Sequence, residues 1–139
     1  MAKELFITQE LSQEMLLAGE ALIKHLEDKH LKVQAAFWLL DTEKESWALM
    51  IASPIVAKKG ARDYYKHINE INEESESKEK NIISLHNIEV IDNNNRFVKA
   101  LHNVKNSSLW NDKYWRNTRL GKNFLSNIYF EDMYIYRMN

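Results

Sequence analysis

An α+β fold, with a four-stranded and mainly antiparallel sheet packed against about three helices, is the architecture this sequence predicts, and three patterns predict it. Residues 33–40 (VQAAFWLL) and 47–52 (WALMIA) are apolar on both alternating faces, as inner strands are. Other stretches repeat apolar residues at steps of three and four, the spacing of helices laid on a sheet. No internal repeat and no Pro/Gly/Ser linker interrupts them, so one domain spanning 1–139 is expected. The composition agrees, with 45% apolar and 28% charged residues. A chain of this length buries roughly two thirds of the surface its unfolded form exposes, so it needs no metal or disulfide to fold.

The order along the chain reads α-β-β-α-β-α-β. Thr8 is placed to cap the first helix, whose residues Leu11, Met15, Ala18, Leu22 and Leu26 form one apolar stripe. The polar stretch 41–45 joins the two inner strands as an antiparallel hairpin, and Pro54 ends the second because it lacks a ladder donor. Residues 55–60 read as a loop, followed by a second helix with Ala61, Tyr64, Tyr65, Ile68 and Ile71 on its apolar face. The run 73–80 (EESESKEK) has no apolar residue and reads as a solvated helix end or connection. A third strand is expected over 82–91, then a third helix capped by Asn94 and carrying Phe97, Leu101 and Val104. Residues 106–123 show no period. The stretch 124–138 alternates as a long last strand, with Glu131-Asp132 marking a bulge or tight turn.

Several function classes are excluded at this stage. With no Cys the chain offers no thiolate nucleophile, disulfide framework or Cys-ligated metal. Its three glycines, Gly19, Gly60 and Gly121, form neither a Walker loop nor a dinucleotide fingerprint. Ser53 lies in no nucleophile elbow. No apolar run approaches a membrane span and residues 1–9 lack the apolar stretch of a signal peptide, so a cytoplasmic protein with no membrane partner and no cofactor is expected.

Charge is uneven beneath a net value of -1. Residues 1–80 carry eleven Lys and Arg against fifteen Asp and Glu, whereas 96–122 carries seven basic residues and one acid, Asp112. In that stretch Trp110, Lys113, Tyr114, Trp115, Arg116, Arg119 and Lys122 interleave aromatic and basic side chains. Aromatic faces stack on unpaired bases and cations neutralise phosphates, yet the same residue types anchor protein interfaces or pack beneath a loop. No nucleic-acid motif decides for the first use.

The remaining candidates are weaker. Lys58-Lys59-Gly60 precedes the second helix and offers positive charge to an anion there, or simply relaxes the turn. His25, His30, His67, His86 and His102 scatter over four expected elements without metal-ligand spacing. Asp41, Glu43 and Lys44 crowd the hairpin turn, where a metal-dependent nuclease would need them on adjoining strands instead. Trp38 and Trp47 belong to the core if both sheet faces are covered, and to an interface or groove if one is not. Taken together, the residues point to a non-catalytic binding or assembly module, self-associating or serving a larger protein complex. The alternative is a nucleic-acid-associated protein that uses segment 96–122, with metal-dependent cleavage as its enzymatic form.

Overall fold

Helix α1 (Gln13–Asp28) begins one turn later than Thr8 would start it, because Ser12 is the cap: its hydroxyl accepts the Met15 amide at 3.2 Å. A computed structural model of the chain describes Leu5, Ile7, Thr8 and residues 10–77, 82–105, 116–125 and 128–138, with the backbone alone at 76, 77, 104, 105, 122–125 and 128–130. Strands β1 (Ala35–Asp41) and β2 (Ser46–Ser53) form the expected antiparallel hairpin, with Asp41 opposite Ser46. The Asp41 carboxylate accepts the Glu43 and Lys44 amides at 3.0 and 3.2 Å, so it shapes the turn. Residues 55–59 of the expected loop 55–60 belong instead, with Pro54, to helix α2 (Pro54–Lys59). Ser53 caps it by accepting the Ile55 amide at 3.2 Å, and Pro54 occupies the first turn, where a missing N–H costs nothing.

Helix α3 (Ala61–Ser77) buries Tyr64, Ile68 and Ile71 as its periodicity requires. A single 3-10 turn at Leu85–Asn87 then shortens the third strand to β3 (Ile88–Asp92). Helix α4 (Arg96–Lys105) is capped by Asn95 and not Asn94, with the Phe97 amide donating to the Asn95 side chain at 2.8 Å. Two strands follow where one was expected, β4 (Thr118–Leu125) and β5 (Ile128–Met138). Phe124 therefore belongs to β4. The bulge is displaced as well: Ala36 faces Arg137 while Phe37 faces Ile135, which leaves Tyr136 as the extra residue. Asp132, expected at an irregularity, sits in continuous pairing opposite Gly121.

The sheet is mixed, with five strands in the order β3-β2-β1-β5-β4. All neighbours run antiparallel except β2 and β3, which the α2–α3 crossover makes parallel. Helices α1 and α3 cover one face through Met15, Leu22, Leu26, Tyr64 and Ile68 over Trp38 and Leu49. Helix α4 covers the other, where Val98 and Leu101 join Phe37, Ala52 and Ile135, and the Phe37 and Phe97 rings stack at 5.5 Å. Covering both faces explains why β1 and β2 are apolar throughout. Trp38 and Trp47 are accordingly core residues, 0% and 2% exposed. No helix of the described residues is long and apolar enough to cross a membrane.

Candidate functional site

The sequence between α2 and α3 builds a cation-rimmed groove. Lys59 closes α2, and Gly60 then takes φ +87°, a conformation that strains any side chain although nothing lies within 4 Å of an added Cβ. The Gly60 amide donates to Val56 O at 2.8 Å, so it is spent on closing α2 and is not offered to an anion. Helix α3 starts at once, and its periodicity sets Arg62, Lys66 and Asn69 on the outer face. With Lys59, Tyr65, Leu85 and one acid, Asp63, they surround an open concavity of about 730 Å³.

Tyr65 fixes the floor of this groove. Its hydroxyl accepts the Val90 amide at 2.9 Å and donates to Ile88 O at 3.3 Å, so a side chain occupies the outer edge of β3 in place of a further strand. The charges around it divide into two sets. Asp63 and Glu70 flank His67 at 3.6 and 3.7 Å, and Lys29, the C-cap of α1, meets Glu74 at 2.9 Å. Lys59, Arg62 and Lys66 enter no ion pair among the described residues. Three cations against the single acid Asp63 leave the groove a net positive charge over partly apolar ground.

The aromatic and basic segment singled out from the sequence is only partly in view. Trp110, Lys113, Tyr114 and Trp115 lie outside the described residues, as does the side chain of Lys122, whose backbone belongs to β4. Arg119 is held by Asp132 across β4 and β5 through two hydrogen bonds of 3.0 and 2.6 Å, and its guanidinium lies 5.8 Å from the centre of a Trp47 ring. The Asp132 hydrogen bond raises the Arg119 pKa further above its ordinary value. Arg116 lines a second recess, of about 370 Å³, with Arg137, Asn117, Tyr136 and Glu20. Arg137 is ion-paired to Glu27 and burial lowers its pKa. Glu20 and Glu27 thus offset the two guanidiniums, which leaves this recess little net attraction for an anion. Arg116 thus lines a recess, while Arg119 is engaged by Asp132 and Trp47.

Other candidates resolve into local structure. His102 shares a 3.0 Å contact with Gln34, and His67 is bracketed by its two acids. Among the described residues no group of three His, Asp or Glu is placed to hold a metal ion. Ser53 is buried beneath its cap and beside Tyr64, whose hydroxyl burial pushes up to about 12 despite the Ser53 hydrogen bond. Sequence reasoning found Lys59 but missed Arg62, Tyr65 and Lys66 as a group. The available signal was that 62, 66, 69 and 73 repeat, two residues earlier, the four-three-four spacing of the buried stripe 64, 68, 71 and 75. The chain matches no protein-family model, no curated protein and no solved structure.

Proposed function

We propose that this chain is a non-catalytic binding or assembly module, and that self-association is the form its assembly takes. The observation that carries this reading is the groove at the start of α3, where three cations without an ion pair among the described residues, and one acid, Asp63, rim a partly apolar floor. Catalysis in such a place calls for a group free to give or take a proton. Tyr65 has committed its hydroxyl to β3, and Asp63 faces His67. What remains is suited to holding an acidic partner, because fixed charge beside apolar surface gives both orientation and burial.

Sedimentation velocity over a wide concentration range tests the reading. The weight-average mass is expected to rise from that of one chain, 16.5 kDa, as concentration increases. A mass that stays at one chain at every concentration overturns self-association. The nucleic-acid alternative forecasts something different: binding of a single-stranded oligonucleotide that falls with salt and is lost when Arg116 and Arg119 both become Ala. That outcome would move the function to segment 96–122.

A further inference from the structure

We infer that two copies of this chain pair through the outer face of α3, antiparallel about a two-fold axis near Asn69 and Glu70, an inference that rests on the assembly reading above. The first observation is the layout of charge along the helix. Arg62 lies in its first turn beside one acid, Asp63, with Lys58 and Lys59 in the last turn of α2 just upstream and Lys66 one turn on, while the last turns carry Glu73 and Glu74 and no basic residue. A helix favours acids near its N-terminus and bases near its C-terminus, so Arg62 and Lys66 at one end of the stripe and Glu73 at the other run against the macrodipole of α3. Arg62, Lys66 and Glu73 gain no ion pair within the chain among the described residues.

A second copy explains it. Residues 62, 66, 69 and 73 share one outward stripe with the four-three-four spacing of a helix–helix seam. About an axis between 69 and 70, Lys66 and Glu73 lie three and a half residues to either side, about 5 Å along the helix. The two-fold therefore sets each Lys66 against the Glu73 of the partner copy and brings the two Asn69 residues together. Such an isologous contact is self-complementary: the basic end of one stripe meets the acidic end of the other. It also runs the two helix dipoles in opposition.

The division of ion pairs supports the same face. Elsewhere on α3 Glu74 pairs with Lys29, and Asp63 and Glu70 lie 3.6 and 3.7 Å from the His67 ring. On the outer stripe, Arg62, Lys66 and Glu73 enter no ion pair among the described residues, and Glu73 accepts only the Asn69 side-chain amide, at 3.2 Å. Tyr65 and Leu85, beside the stripe, add apolar contact at the basic end. One helix pair buries less than the roughly 800 Å² per partner of a standard stable interface, so the dimer is weak and concentration-dependent.

Charge reversal and exchange test the pairing, with the mass of the full chain read by sedimentation and the fold checked by thermal melting. Lys66→Glu and Glu73→Lys are each expected to raise the dimer dissociation constant by at least about tenfold, since each creates two like-charge contacts per dimer. The double variant restores the opposite charges and is expected to recover the wild-type constant. Wild-type association is expected to weaken as salt is added. If the wild type associates but neither single variant changes it, the interface lies elsewhere, and the two-fold fails while the assembly reading stands. If Lys66→Glu alone acts, or if the double variant does not recover, Lys66 and Glu73 do not face one another and the two-fold is overturned. A wild type that is monomeric at every concentration overturns both readings.

Discussion

Gly19 sits where α1 crosses the Trp38 and Tyr136 side chains, and its missing side chain is what lets them meet. Tyr136 accepts a hydrogen bond from Trp38 Nε1 at 2.8 Å and donates to Leu16 O at 2.7 Å, so one phenol satisfies a buried indole and ties β5 to α1. A Cβ on Gly19 would overlap the Tyr136 hydroxyl. Two effects then compete in Gly19→Ala. Helix propensity favours Ala by about 1 kcal/mol, whereas forcing bulk into a packed core costs about 1–3 kcal/mol, and here the displaced ring is held at both ends. We expect a net loss of about 1–2 kcal/mol in urea unfolding. Because the clash and the hydrogen bonds share one atom, Gly19→Ala and Tyr136→Phe should combine for less than the sum of their separate costs. Strict additivity would mean that the hydroxyl is not what constrains Gly19. The bulge that makes Tyr136 the extra residue of β5 also brings Met138 into the core opposite Ala35 and leaves Arg137 for Glu27.

At the scale of elements, β3 shows how a side chain can close the edge of a sheet. The Tyr65 hydroxyl takes the places of a donor and an acceptor on a missing strand. Tyr65→Phe removes both bonds from partly buried backbone groups, so stability should fall by about 1–2 kcal/mol. The Val90 amide should lose its protection in hydrogen exchange ahead of Ile51, its neighbour on β2. Equal protection in variant and wild type would assign the edge to other contacts. The sequence makes some elements legible and hides others for physical reasons. β1 and β2 are plain because burial on both faces leaves unbroken apolar runs. β4 is hidden, since Arg119, Gly121, Lys122 and Asn123 give an edge strand no clear alternation. α2 is too short, at six residues, for a period to emerge, although Ser53-Pro54 is a cap followed by a first-turn proline and could have announced it. The groove is hidden for a related reason. Periodicity finds the apolar stripe of α3 and leaves its charged remainder as solvated surface, so the outward repeat of Arg62, Lys66, Asn69 and Glu73 passes unread.

For the whole molecule, one consequence of burying phenols on the α1–α3 face is a stability that depends on alkaline pH. Tyr64 and Tyr136 both lie in this core, and burial is the main cause that raises each above the ordinary value of 10.0, Tyr64 to about 12. The sign follows from proton counting. Between pH 10 and about 12 the unfolded chain has released the Tyr64 proton while the folded chain keeps it, so unfolding gains favour as pH rises through that window. Below pH 10 both states hold the proton and the contribution is fully present. Two pKa units correspond to about 3 kcal/mol for Tyr64 alone, and Tyr136 adds a change of the same sign. Urea midpoints should therefore be flat from neutral pH to about 9 and fall steeply above 10, with tyrosinate absorbance appearing together with unfolding. Tyr64→Phe should flatten part of that fall at the cost of the bond to Leu31 O, which lowers its stability at neutral pH. A midpoint equally steep above pH 10 in wild type and variant, or tyrosinate signal well before unfolding, would show that these phenols reach water in the folded state. The core that carries α3 would then be looser than its packing implies, and the helix would be a poor platform for a paired interface.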